Sequence, residues 1–268
     1  AAPWKVPLAL AGAQVGFAVF PILGKLALTT IPPLVFAAFR VTSAAIILEA
    51  ITRLRHRERL AAADRSKILL YGLLGVSFNQ LLFIFGLFLT TAINTTILTA
   101  TIPVFTLGAA VVLGREPMRA RSAAGIVLAG AGALALLNAQ RFDWSSASFR
   151  GDLLLLANAT SYSLYLVLSR PMLARYRAST FTAAVFRYGA VFILLAALPN
   201  LVFFDRARVT SLAWICLGAV IVFCTVIPYL LNAWALARTH ASHVAFYVFL
   251  QPLIATILAI VVLGEALS

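Results

Sequence analysis

The sequence predicts an all-α polytopic membrane protein made of two inverted five-helix repeats, with nine of the ten spans in this chain. Three observations carry that reading. Hydrophobic residues make up 63% of the 268 and charged residues only 11%, against roughly a quarter charged in soluble domains. Nearly the whole chain divides into apolar runs of about 20 residues, the length at which a helix crosses the hydrocarbon layer. One stretch also recurs: AINTTILTATIPVFTLGAAVVLGRE at 92–116 is echoed by ASHVAFYVFLQPLIATILAIVVLGE at 241–265. In each copy an alanine (Ala92, Ala241) precedes a proline (Pro103, Pro252) by 11 residues, and a Val-Val-Leu-Gly run leads to Glu116 or Glu265. Prolines and glutamates both recur at an offset of 149, which divides the chain into halves at 1–140 and 141–268.

Spans are placed at 7–29, 34–54, 67–89, 92–113, 119–138, 152–173, 180–203, 211–236 and 241–263. A tenth, following Glu265, is expected in the parent protein. The net charge of +13 could mark a nucleic-acid partner, but its distribution points elsewhere. Fourteen basic residues share the side of the N-terminus: Lys5, Arg53, Arg55, Arg57, Arg59, Arg65, Lys67, Arg115, Arg119, Arg121, Arg170, Arg175, Arg177 and Arg238. Five take the other side: Lys25, Arg141, Arg150, Arg206 and Arg208. This is the positive-inside asymmetry of a multi-pass protein with its N-terminus in the cytoplasm. Trp4, Tyr71 and Tyr176 at the inner interface, with Trp144 and Trp214 at the outer, fit an aromatic belt. Cys216 and Cys224 sit eight apart on one helix, about 12 Å along its axis, and read as buried thiols. The first span is too long for a cleavable leader and serves as the insertion signal.

In chain order, span one pairs Gly12 with Gly16 for close helix approach and carries Gln14 and the bend-forming Pro21. Span two carries Arg40 and span seven Arg187, in the matching contexts AAFR and AVFR. Each either snorkels or bonds structurally, or serves gating or substrate attraction. Span three holds Ser77, Asn79, Gln80 and Phe83, with Asn79 and Phe83 on one face. Span four brings Thr95, Thr99 and Pro103; span five, GIVLAGAGALALL, has no chemical groups and reads as peripheral packing. Span six has Asn158, Ser161, Tyr162 and Tyr165; span eight has Thr225, Pro228, Tyr229 and Asn232; span nine has His243, Tyr247, Gln251 and Pro252. Polar and aromatic groups gather on spans one, three, four, six, eight and nine, so those six helices are expected to surround a cavity. The candidate substrate-binding residues are Gln14, Asn79, Phe83, Thr99, Asn158, Tyr162, Tyr229, Asn232, Tyr247 and Gln251. Pro21, Pro103, Pro228 and Pro252 are candidate hinges, with Arg40 and Arg187 as gating residues.

The layout resembles the drug/metabolite transporter superfamily, in its EamA-type repeat. The residues that carry the resemblance are GLFLTTA (86–92) and its counterpart WALARTHA (234–241), Pro103 and Pro252, and the LGRE and LGE ends. It implies ten helices with both termini cytoplasmic, in a bacterial inner membrane. The implied activity is export of aromatic or neutral amino acids and related small metabolites, by alternating access between inverted repeats. An anion or nucleotide-sugar exchanger using Arg40 and Arg187, or a passive channel, stays open. Glu49, Glu58, Asp64, Glu116, Asp143, Asp152, Asp205 and Glu265 all fall near span ends or in loops. With no mid-membrane carboxylate to relay protons, facilitated diffusion or exchange is as open as proton antiport, and His240 and His243 are the titratable alternatives. No nucleophile, metal-ligand or acid–base constellation suggests an enzyme, and no cofactor or metal is expected. The expected partners are a small-molecule substrate and the lipid bilayer, without nucleic acid and with the chain as a monomer.

Overall fold

The computed structural model describes residues 4–55, 58–117, 124–125, 128 and 147–254. Seven helices in it are long and apolar enough to cross a membrane: α1 Lys5–Leu28, α2 Pro33–Arg55, α3 Ala62–Leu89, α4 Asn94–Val112, α5 Ala147–Leu173, α6 Ala178–Val202 and α7 Ser211–Leu236. An eighth, α8 Ala241–Ile254, is shorter. The expectation of nine spans therefore becomes seven crossing helices among the described residues. The fifth expected span, at 119–138, lies outside them except for 124–125 and 128, and the ninth is described only to residue 254. His56, Arg57, Arg119, Arg121, Arg141, Asp143, Trp144 and Glu265 also lie outside the described residues.

Contacts at the helix ends fix the direction of each helix. At one end Asp64, in the first turn of α3, meets Arg175 just past α5 at 2.9 Å, and Glu116 past α4 accepts the backbone N–H of Ser242 at the start of α8. This end also holds Arg53, Arg55 and Arg59, and is called the basic end below. At the other end the Thr90 and Ser148 hydroxyls lie 3.1 Å apart, Lys25 Nζ donates to the Phe88 carbonyl, and the Phe39 and Trp214 rings are 5.6 Å apart. So α1 runs antiparallel to α5, α2 to α6, α3 to α7 and α4 to α8. Neighbours follow the same pairing: α1 packs on α7 as α5 packs on α3, α4 packs on both α5 and α8, and α2 lies along α6.

Four of these helices are irregular, at matched positions. In α3 the segment Leu73–Phe78 is a π-turn, and in α7 so is Val222–Val226. The α7 turn has an evident cause. Pro228 has no N–H, and its ring crowds the carbonyl four residues back, so the ladder widens just before it. Hydroxyls then bond across the wide turns: Thr225 Oγ1 donates to the Val220 carbonyl at 2.8 Å and Ser77 Oγ to the Gly72 carbonyl at 3.3 Å. In α4, Pro103 ends the first helical piece at Thr99 and opens a second from Ile102. In α8 the 3₁₀ turn Tyr247–Phe249 precedes Pro252 in the same way. Pro21, by contrast, sits inside α1 without a change of helix type.

Close packing supports these bends. Gly16 touches α7 backbone: a Cβ there would meet the Phe223 carbonyl and the Pro228 ring, whereas Gly12 has only ordinary contact with Leu231 at 3.5 Å. Within the α3 turn, the Tyr165 ring fills the place a Gly75 side chain would take. Overpacking of this kind costs about 1–3 kcal/mol or more, so Gly75→Leu is expected to lower the detergent melting temperature and the yield of monodisperse protein. An unchanged melting curve would remove that contact from the account. Both cysteines are buried and free. Tyr71 is buried too, so it belongs to the core and not to an interfacial belt.

Candidate functional site

The four irregularities surround a cavity in the middle of the bundle. It offers about 60 Å³ to the centre of a water-sized sphere, several times the ~10–15 Å³ that one water needs on that measure. Its lining comes from α1, α2, α3, α4, α5, α7 and α8. Nine of the ten candidate binding residues lie on that lining: Gln14, Asn79, Phe83, Thr99, Asn158, Tyr162, Tyr229, Asn232 and Gln251. Tyr247 does not. On α8 the cavity face is Val244, Ala245, Val248 and Gln251, and Tyr247, at the start of the 3₁₀ turn, instead packs its ring against His243 at 5.6 Å. Of the hinge and gating candidates, Pro21 and Arg40 line the cavity while Pro103, Pro228, Pro252 and Arg187 stand behind or away from it.

The polar groups of the wall bond mostly to one another. The α3 turn loosens two carbonyls, and Leu74 and Gly75 accept from the Ser161 and Tyr229 hydroxyls. Gln80 Nε2 donates to the Tyr229 hydroxyl at 2.7 Å and to Asn79 Oδ1 at 3.2 Å. Asn158 Nδ2 donates to the Asn79 carbonyl, Asn232 Nδ2 to the Tyr162 hydroxyl, and Gln251 Nε2 to Gln14 Oε1, each at 2.7 Å. The last two bonds tie α7 to α5 and α8 to α1 across the bundle. Aromatic rings fill the gaps: Phe17 and Phe186 meet Tyr229 edge-on at 5.7 and 4.8 Å, and Phe20 stacks on Phe83 at 4.8 Å.

The two arginines matched in the sequence have different surroundings. Arg40 is 1% exposed and does not snorkel. Its Nε donates to Thr225 Oγ1 at 2.7 Å, its Nη1 to Gln80 Oε1, and its guanidinium lies 3.7 Å over the Phe20 ring. Arg187 is half exposed near the basic end, 3.6 Å from Glu49. No carboxylate lines the cavity among the described residues, so Arg40 is the fixed charge of its described wall. Sequence reasoning noticed Gln80 and Thr225 but did not choose them, and it missed Phe17, Phe20, Ile102 and Leu166. A signal for one was available: Gln80 and Tyr229 are 149 apart, the repeat offset. Larger hollows lie at the basic end among charged residues such as Glu58, Arg59 and Arg177.

The model of the EamA-like transporter family matches this chain twice, over residues 4–138 and 149–268. The chain belongs to the EamA-like transporter family. Three related proteins, each described as an uncharacterized transporter, extend the match along most of the chain. One from Archaeoglobus fulgidus is 30% identical over 90% of this chain and 83% of its own length. YetK of Bacillus subtilis is 26% identical over 97% and 79%, and one from Clostridium kluyveri 25% over 78% and 68%. A solved crystal structure superposes with a TM-score of 0.75 at 18% identity, covering 98% of this chain and 89% of that one, which establishes the shared fold. This EamA-like protein is thus a multi-pass secondary transporter acting through a membrane-embedded helical bundle, and not an enzyme.

Proposed function

We propose that this EamA-like protein exports aromatic or neutral amino acids and related small metabolites by alternating access through the central cavity. The two halves, 1–140 and 141–268, act as inverted repeats, and the basic end faces the cytoplasm of a bacterial inner membrane. The observation that carries the reading is the cavity's position between four bent helices at matched register, α3 with α7 and α4 with α8. Bends in such pairs let one half adopt the other's shape, which exchanges the open side. The antiparallel pairing of α1–α4 with α5–α8 supports the same symmetry. The lining pairs amide and hydroxyl groups with aromatic faces, a mixture suited to a small polar head on an apolar body.

The test is a panel of labelled neutral and aromatic amino acids on purified protein in liposomes, with and without a pH gradient. Saturable uptake stimulated by unlabelled substrate on the far side is expected; single-channel currents would instead indicate a pore. Tyr229→Ala removes the hydroxyl bonded to Gln80 and Asn79, and Asn158→Ala removes the bond to Asn79. For a lost interaction of about 1.4 kcal/mol each variant should slow uptake about tenfold. Full activity of both in folded protein would place the substrate path elsewhere. Anion exchange is the second reading, favoured by Arg40 in the wall, and inhibition by nucleotides but not amino acids would select it.

A further inference from the structure

We infer that Arg40 is the anchor for a carboxylate on the transported molecule, an assignment that rests on the proposed use of the central cavity as the substrate site. A guanidinium has five N–H donors; two of Arg40's meet Thr225 and Gln80, and the other three have no acceptor among the described residues. One face is covered by Phe20, and the residue lines the cavity. Its described neighbours are a hydroxyl, an amide and a ring, all neutral, so nothing beside it balances its charge. A buried cation left in this state is costly. An incoming anion that takes the remaining donors relieves that cost, and the planar fork suits the two oxygens of a carboxylate.

The surroundings also limit the anion. One guanidinium balances one negative charge, and the rest of the wall is neutral with apolar stretches such as Ile102, Leu166 and Val248. A phosphate monoester dianion would keep an unbalanced charge there, so the site selects monoanionic heads. A free amine brings a second positive charge, and an amide of the same body offers one neutral carbonyl acceptor in place of two charged oxygens.

The experiment compares small acids with their own amides, on wild-type protein in detergent, by ligand-induced thermal stabilisation and by competition in liposomes. The probes are phenylalanine, leucine, 3-phenylpropionate and phenyllactate against the corresponding primary amides, with phenyl phosphate as the dianion. Each effective acid should bind about tenfold or more tightly than its amide, as a charge-assisted hydrogen-bonded pair requires, and phenyl phosphate should bind weakly. Arg40→Gln should remove the difference between acid and amide, and Arg40→Lys should reduce it. The wild-type series needs no variant to fold. If no acid exceeds its own amide, or if phenyl phosphate outbinds the acids, the anchor is overturned. Equal binding of phenylalanine and its amide would remove the anchor while leaving the amino-acid reading intact. Binding of 3-phenylpropionate and phenyllactate without either amino acid would support the anchor and remove the amino-acid reading.

Discussion

Gln80→Leu is expected to destabilise the protein by about 3–5 kcal/mol, the range seen when one partner of a buried charge is removed. Leucine is close to glutamine in size, so packing changes little and the loss is electrostatic. Gln80 Oε1 accepts from Arg40, and its Nε2 donates to Tyr229 and Asn79. Without that amide the guanidinium keeps only Thr225 and the Phe20 face. Tyr229→Phe is the milder comparison: it removes one neutral hydroxyl and should cost about 1 kcal/mol. Gln80→Glu separates stability from function. A carboxylate beside Arg40 balances its charge, so this variant should fold well yet no longer prefer acids over amides. Chemical or thermal unfolding in detergent measures the first two effects, and ligand-induced stabilisation the third. Stability within 1 kcal/mol of wild type for Gln80→Leu would mean the guanidinium does not depend on this wall.

Much of this arrangement is legible in the sequence because it is periodic. The recurring Pro103 and Pro252 mark the two broken helices, since each proline lacks an N–H and crowds the carbonyl four residues back, although Pro21 does the same in α1 without changing its helix type. The concentration of amides and tyrosines on six spans marks six of the seven helices around the cavity, all but the α2 that brings Arg40, because polar groups in apolar surroundings gather where they can bond. The rest depends on geometry that residue spacing does not encode. The π-turn of α3 contains no proline and coincides with the close approach of the Tyr165 ring to Gly75, a tertiary contact. Arg40 and Arg187 have nearly identical local contexts, yet one is enclosed and the other reaches the basic end near Glu49. Depth counted along a span does not say which way a helix faces. Tyr247 falls off the cavity because Val244, Ala245, Val248 and Gln251 form the helical stripe that faces it, and Tyr247 lies about a quarter-turn to one side of that stripe.

Releasing the latch at the basic end is expected to expose the cavity from that side. The Asp64 carboxylate is buried and accepts from Arg175 Nη1 at 2.9 Å and from the Tyr176 hydroxyl at 2.6 Å. The same hydroxyl accepts from the Ala61 N–H, and Glu58 accepts from the Arg177 N–H. These bonds join the segment leading into α3 with the turn between α5 and α6, one from each half of the chain. At the opposite end Thr90 meets Ser148 and Lys25 meets the Phe88 carbonyl, while the Asp205 carboxylate bonds within its own loop, to Arg208 and the Ala207 N–H. Asp64→Ala should therefore favour the state open at the basic end. A Leu166→Cys reporter in the cavity wall should then react several-fold faster with a charged thiol reagent applied from that end, over a low background from the buried Cys216 and Cys224. An unchanged rate would mean the latch does not control access. Its two bonds should also separate under salt. The Arg175 side chain is 56% exposed, so its share is screened at high ionic strength. The short Tyr176 bond carries no second charge, so high salt should reproduce Arg175→Ala while Tyr176→Phe keeps an effect of its own.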